Sequence, residues 1–182
     1  MTPLYRATVP TPAGPLTVLA DADGAVRASG FTTDTDLLVA LLPPGRSSAD
    51  GAPTIHDDAP GGPTTTAVRA VEAYLAGDLG ALDDVPVVQD ADPTRPVARM
   101  RARLRRVPAG ETRTYAALAA EAGSPNASRA AGQACSRNRV APFVPCHRVL
   151  PTGGGLGGYR WGVDVKRALL AFEAERAASA SA

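Results

Sequence analysis

The sequence predicts an α+β protein of two domains, on three observations. Strand-like segments separated by tight-turn signals crowd the first half. Helical apolar periodicity dominates the second half. The charge also changes sign at Asp90/Ala91: residues 1–90 hold 4 arginines and 12 acids, net −8, whereas residues 91–182 hold 15 Lys+Arg and 6 acids, net +9. A chain of 182 residues with a formal net charge of +1 is therefore an acidic half joined to a basic half, and it is long enough to bury a sizeable core.

In the first domain (1–90), Tyr5–Val9, Leu16–Ala20 and Ala25–Phe31 read as strands. Pro12-Ala13-Gly14 and Asp23-Gly24 are the turns between them, the second a strong hairpin signal. Asp36–Leu42 predicts a short helix stopped by Pro43-Pro44-Gly45. Residues 43–64, rich in Pro, Gly, Ser, Asp and Thr with Ile55 as the one large aliphatic residue, predict a flexible loop. A helix over 65–77 carries Val68, Val71 and Leu75 on one face and stops at Gly77. Nothing in this half reads as catalytic; His56 reads as a solvated bystander.

In the second domain (91–182), Val97, Met100, Leu104 and Val107 mark one face of a helix from Arg95 to Val107. Arg99, Arg101, Arg103, Arg105 and Arg106 cover the rest, at least partly as a solvated face. After Pro108-Ala109-Gly110, Thr114 is the expected N-cap of a short helix, Tyr115–Ala122, with Gly123 as its stop. Ser124-Pro125 then predicts a restart, giving a helix over Asn126–Arg137 whose face is unusually small: Ala127, Ala130, Ala131, Gly132 and Ala134. Two short helices joined by a Gly-Ser turn form a helix-turn-helix candidate. Small residues permit close approach, either to another helix or to a DNA groove. The +9 half suggests a polyanion partner, nucleic acid before anionic membrane, and charge compensation across a domain interface explains the charge split equally well. A closing helix, Val163–Arg176, is expected to turn Val165, Leu169, Leu170 and Phe172 to the core.

Composition excludes several classes. No run approaches the roughly 18 apolar residues of a membrane span, so no membrane partner is expected. Met1–Arg6 lacks the layout of a signal peptide. Cys135 and Cys146 cannot make a disulfide framework, and with His56 and His147 they are too scattered for a four-ligand zinc site. A reducing, cytoplasmic setting follows as the expectation, with no metal and no cofactor.

The chemistry is expected at Pro145-Cys146-His147-Arg148-Val149. The thiolate is the nucleophile, and an unperturbed thiol with a pKa of about 8.5 is mostly protonated at neutral pH. His147 is the adjacent base, but neighbours on a strand face opposite ways, so a bridging water is the expected link. The imidazole needs a carboxylate behind it, and the closing helix offers Glu173 and Glu175. Cys135 reads as a packing residue.

This motif resembles the active-site signature of the O6-alkylguanine-DNA alkyltransferases, the methylated-DNA–protein-cysteine methyltransferases. The resemblance runs from Pro96 to Glu173. It takes in Gly110-Glu111-Thr112-Arg113-Thr114-Tyr115, Ser128-Arg129-Ala130-Ala131-Gly132, Asn138, Gly157-Gly158-Tyr159 and Lys166. The first half matches more loosely, through Thr11-Pro12-Ala13-Gly14-Pro15-Leu16. The resemblance implies a ribonuclease-H-like N-terminal domain and a winged helix-turn-helix-like C-terminal domain that binds DNA and carries the active site on a short two-stranded element.

It also implies residue roles. Cys146 takes the alkyl group from O6 of guanine, and also from O4 of thymine, once per molecule. His147, through water, and Glu173 form the relay; Tyr115 and Lys166 assist the leaving base. Arg129 fills the gap left by the flipped nucleotide, while Thr114, Ala130, Gly132, Ala134, Ser136 and Asn138 belong to the DNA-binding surface, Asn138 holding the turn after the recognition helix. Val149, Tyr159, Arg160 and Trp161 belong to the base pocket. The implied partner is duplex DNA containing O6-alkylguanine, met by a monomer. Arg139 and Ala141 stand where many members have proline, which predicts a looser turn. Arg160-Trp161 replaces small residues of human-like members and predicts a narrow pocket suited to methyl. A lesion-sensing DNA binder is the alternative, and Cys146 argues against it. A cysteine hydrolase would leave the basic helix unexplained.

Overall fold

The computed structural model describes residues 3–43, 53–89 and 92–180. They form two compact units. The first comprises the described residues up to Gln89 together with Arg139–Ala141, and the second comprises the others from Asp92 onward.

The first unit is built on a four-stranded sheet in the order β3-β2-β1-β4. β1 (Leu4–Val9), β2 (Leu16–Ala20) and β3 (Val26–Gly30) form an antiparallel meander. β2 is an unbroken apolar run because it is central and covered on both faces: all five of its residues are buried. The β2–β3 turn is closed by Asp21, whose N–H donates to the Ala25 carbonyl and whose carboxylate accepts from the Ala25 N–H, both at 3.0 Å. Gly24 takes φ +82° there. α1 (Thr35–Val39) is capped by the Asp34 side chain, and α2 (Thr65–Ala76) ends at Gly77 with φ +117°.

Two expectations need correction in this unit. Within the segment expected as loop, 43–64, residues 44–52 lie outside the described residues. Ile55–Asp57, however, form β4, parallel to β1 with Leu4 opposite Ile55. A three-residue strand is too short to show alternation in sequence; it exists because β1 offers it a free edge. α2 buries Ala67, Val71 and Tyr74 rather than Val68, Val71 and Leu75. The stripe is turned by one residue because Tyr74 brings the larger surface.

Arg139–Ala141 pair with β3: the Ser29 N–H donates to the Arg139 carbonyl and the Ser29 hydroxyl to the Ala141 carbonyl, both at 2.8 Å. The Arg139 N–H donates to the Gln89 side-chain oxygen at 3.3 Å, and its guanidinium donates to the Gln89 carbonyl. Proline at 139 could not supply that N–H. The arginine therefore fastens the segment instead of loosening it.

In the second unit, α3 (Pro96–Leu104), α4 (Tyr115–Glu121) and α5 (Ser128–Ser136) pack on one another, and α6 (Val163–Ala180) closes the unit. β5 (Arg113–Thr114) and β6 (Val149–Leu150) pair in parallel. Pro96 opens α3 at its first position. The Thr114 hydroxyl caps α4, accepting from the Ala117 N–H at 3.1 Å. Gly123, φ +75°, ends α4.

Three details differ from expectation here. Ser124-Pro125 does not start α5, because Ser124 is spent on the end of α4, its N–H donating to the Ala119 carbonyl at 2.9 Å. The helix begins three residues later, after Ala127. Arg101 is not solvated; it is buried, and its Nε donates to the Ala134 carbonyl at 3.1 Å. The buried stripe of α6 is Lys166, Leu169 and Glu173, while Val165, Leu170 and Phe172 are only half-buried. Two charged residues on the inner face of a helix demand partners inside, and those partners define the site.

Candidate active site

A 3-10 turn, Cys146–Arg148, carries the nucleophile candidate, rather than the strand expected for it; β6 begins only at Val149. The turn is closed by the Arg148 N–H donating to the Pro145 carbonyl at 3.0 Å. Cys146 is 8% exposed and lies in the wall of a cavity of about 510 Å³. Tyr115 from the start of α4, Gly132, Cys135 and Ser136 from α5, Asn138, and Gly158–Trp161 complete the lining.

Asn138 is buried beside the thiol. Its Nδ2 donates to Cys146 Sγ at 3.1 Å and to the Val144 carbonyl at 2.7 Å. Burial pushes the thiol above its ordinary pKa, while the Asn138 hydrogen bond and the Lys166 and Arg160 charges pull the other way. The thiol rests protonated, and its anion has a waiting donor.

Behind Cys146, His147 and Glu173 are both fully buried (0% exposed), with His147 Nε2 2.9 Å from Glu173 Oε1. His147 Nδ1 has no partner among the described residues. Burial lowers the imidazole pKa more than Glu173 raises it, so the ring is neutral and able to accept a proton. Burial alone would raise the Glu173 carboxyl, but the hydrogen bonds from His147 and Arg148, with the Arg148 charge, outweigh it and hold the group well below the usual carboxylate range.

Arg148 is the residue that sequence reasoning missed. Its Nε donates to Glu173 Oε2 at 3.0 Å and Oε1 at 3.2 Å, its Nη2 to Oε1 at 2.8 Å, and its Nη1 to the Val107 carbonyl at 2.6 Å. A signal existed. Phe143-Val144-Pro145-Cys146-His147-Arg148-Val149 is an apolar run with a guanidinium inside it, and a buried guanidinium needs a carboxylate. Gly110 is a second omission. Its N–H donates to Glu173 Oε2 at 3.3 Å, and with φ +84° a side chain here would meet Ala177 Cβ at 2.8 Å.

Lys166 is buried and donates from Nζ to the Val149 carbonyl at 2.8 Å; burial lowers its pKa. Burial raises the Tyr115 phenol, which keeps it a donor. Arg160 Nη2 donates to the Ser136 carbonyl at 2.6 Å, linking the glycine-rich segment to the end of α5.

Of the residues expected at a DNA surface, Arg129 is exposed and Ala130 half-buried on α5, while Gly132 and Ser136 reach the cavity. Thr114 is half-buried as the cap of α4. Ala134 is completely buried, because the α5 carbonyl at that position faces Arg101, so its side chain belongs to packing. Asn138 likewise faces the thiol rather than solvent. Val149 is fully buried outside the cavity lining and contributes through its carbonyl. The Glu173/Glu175 choice falls to Glu173, since Glu175 is exposed.

Fold and site together define a class: a mixed α+β protein with a buried cysteine, Cys146, in a cavity wall beside a buried His147–Glu173–Arg148 cluster. Residues 97–175 match the family model of the 6-O-methylguanine DNA methyltransferase DNA-binding domain. A methylated-DNA–protein-cysteine methyltransferase of Mycobacterium tuberculosis is 36% identical over 173 residues, covering 95% of this chain and 93% of that protein. One from Methanosarcina acetivorans is 43% identical over 107 residues, 59% of this chain and 67% of that protein. The crystal structure of Mycobacterium tuberculosis OGT in complex with DNA superposes with a TM-score of 0.73 at 34% identity, covering 94% of each chain. The chain belongs to the methylated-DNA–protein-cysteine methyltransferase family.

Proposed function

We propose that this protein repairs DNA by direct reversal, moving a methyl or other small alkyl group from O6 of guanine to Cys146, once. The observation that carries the reading is the position of Cys146 in the cavity wall, one residue from a neutral His147 that is held by Glu173 at 2.9 Å. The named activity of the Mycobacterium tuberculosis relative supports it over most of the chain.

His147 Nδ1, through a water, takes the proton of Cys146. Glu173, gripped by Arg148, stabilises the imidazolium. The Sγ anion, supported by Asn138, attacks the alkyl carbon; a C–S bond forms, the C–O6 bond breaks, and the electron pair passes to O6. Tyr115 donates a proton or hydrogen bond to the departing guaninate, and Lys166 adds positive charge nearby. The product thioether does not hydrolyse, so the protein is consumed. O4 of thymine presents the same chemistry.

A base stacked in a duplex hides its O6 substituent, so the nucleotide must be flipped into the cavity. α5 offers the small residues Ala130 and Gly132 for close approach, and Arg129, exposed on the same helix, fills the vacated stack. α4, the Gly123 turn and α5 act as a helix-turn-helix with the β5–β6 pair as its wing, and the first unit as a ribonuclease-H-like domain. The protein acts as a cytoplasmic monomer. The lesion-sensor alternative lacks a use for the buried relay. A Cys146→Ala variant tests the reading: it should bind an O6-methylguanine duplex as wild type does and transfer nothing. Transfer surviving in that variant would overturn it.

A further inference from the structure

Outside the active site, the strongest unexplained feature is the outer face of α3. Arg95 caps the start of α3, Arg99 and Ala102 lie within it, and Arg106 lies in the turn that continues it past Leu104; their offsets of four, seven and eleven residues set them along one side of this segment. All four are exposed. The inner face, Ala98, Met100, Arg101 and Leu104, is buried, and Arg101 points to α5. The arginine stripe is therefore turned away from α5. Its length is about 16 Å at 1.5 Å per residue.

Neighbouring arginines on the same helix are engaged: Arg101 with the Ala134 carbonyl and Arg103 with Glu121 at 2.5 Å. Arg95, Arg99 and Arg106 have no ion pair or side-chain hydrogen bond among the described residues. Asp92, the acid nearest in sequence, has its carboxylate turned to Thr94, at 2.6 Å from the hydroxyl and 2.9 Å from the N–H. Like charges one turn apart repel, so the helix tolerates an arrangement that its own packing does not use. Ala102 keeps the surface between the guanidinium groups low, which lets a rod-like polyanion lie along it.

We propose that the Arg95–Arg99–Arg106 stripe of α3 binds the phosphate backbone of duplex DNA, on a segment separate from the one that α5 engages. A backbone strand carries a phosphate about every 3.4 Å of helix axis, so three guanidinium groups spread over about 16 Å, the span of about five phosphates, meet phosphates without needing any base sequence. The stripe points away from α5, so a short duplex centred on α5 does not reach it, whereas a longer duplex, or a second one, does. The inference rests on the DNA-repair reading.

The test compares the full-length wild type, a charge-removing variant (Arg95→Ser, Arg99→Ser, Arg106→Ser) and a charge-keeping variant (Arg95→Lys, Arg99→Lys, Arg106→Lys). Each is titrated over a salt series with a short O6-methylguanine duplex and with a duplex several turns longer. On the long duplex the serine variant should lose about 0.9 of salt slope per lost phosphate contact, nearly three in all, and the lysine variant should lose little. On the short duplex its slope and its methyl transfer to Cys146 should match wild type, which also shows that it is folded. Wild-type slope on the long duplex overturns the proposal. So does an equal loss on both duplexes, which would put the stripe on the same segment as α5, and so does an equal loss in the lysine variant. Intact transfer with an unchanged slope sinks the stripe alone; no transfer by wild type sinks the repair reading.

Discussion

Arg148 grips both carboxylate oxygens of Glu173, with Nε and Nη2 donating at 2.8 to 3.2 Å in a site where both residues are all but sealed from solvent. The pair does two things. It fixes the carboxylate against His147, and it keeps that carboxylate ionised inside the protein. A buried guanidinium left without its acid is an uncompensated charge.

Glu173→Ala should therefore destabilise the protein by about 3–5 kcal/mol, and Glu173→Gln should abolish rapid transfer while preserving more of the fold. Urea unfolding and single-turnover transfer measure the two. A Glu173→Ala variant within about 0.5 kcal/mol of wild type would mean that Arg148 finds another partner.

The pH dependence follows from the same cluster. Burial lowers His147, so the unfolded chain binds this proton where the native state does not. Its stabilising effect is present above the unfolded pKa of about 6.5 and is lost as pH falls, by up to about 1.4 kcal/mol per pH unit. Glu173, held low, adds a second loss below about pH 4.3, its unfolded value. Stability should fall with pH in those two windows, and His147→Gln should flatten the first. Stability that rises on acidification from pH 7 to 5 would contradict the buried neutral imidazole.

Asn138 donates to both Sγ and the Val144 carbonyl. Asn138→Ala should move the pH midpoint for alkylation of Cys146 by iodoacetamide upward and slow methyl transfer by about tenfold or more. An unmoved midpoint would show that the donor does not serve the thiolate.

Trp161 and Arg160 line the cavity, and Arg160 is bonded to the Ser136 carbonyl. Trp161→Gly should open the wall and raise reactivity toward an O6-benzylguanine duplex by about tenfold or more, with little effect on the methyl adduct. No gain on the benzyl adduct would count against a cavity narrowed by this side chain.

What could be seen in the sequence was what is local. β2 announced itself as an apolar run, Thr114 and Gly123 as the two ends of α4, and Cys146-His147 as a thiol beside a base. What stayed hidden depends on partners far along the chain. β4 exists only through its pairing with β1. The start of α5 moved because the end of α4 claims Ser124. Glu173 and Glu175 are two residues apart on one helix and so face different ways; only burial against Arg148, 25 residues earlier, separates them. The apolar residues of α6 misled for the same reason, because its inner face carries Lys166 and Glu173, whose partners are the Val149 carbonyl and the His147–Arg148 turn.

The central claim is that Cys146 accepts one alkyl group from DNA. Peptide mass spectrometry after mixing the protein with a duplex carrying a single O6-methylguanine tests it most directly. One methyl increment is expected, confined to the peptide holding Cys146, reaching one per protein molecule and never more. An unmodified Cys146 in protein that still holds the duplex, or a methyl found on Cys135 instead, would contradict it.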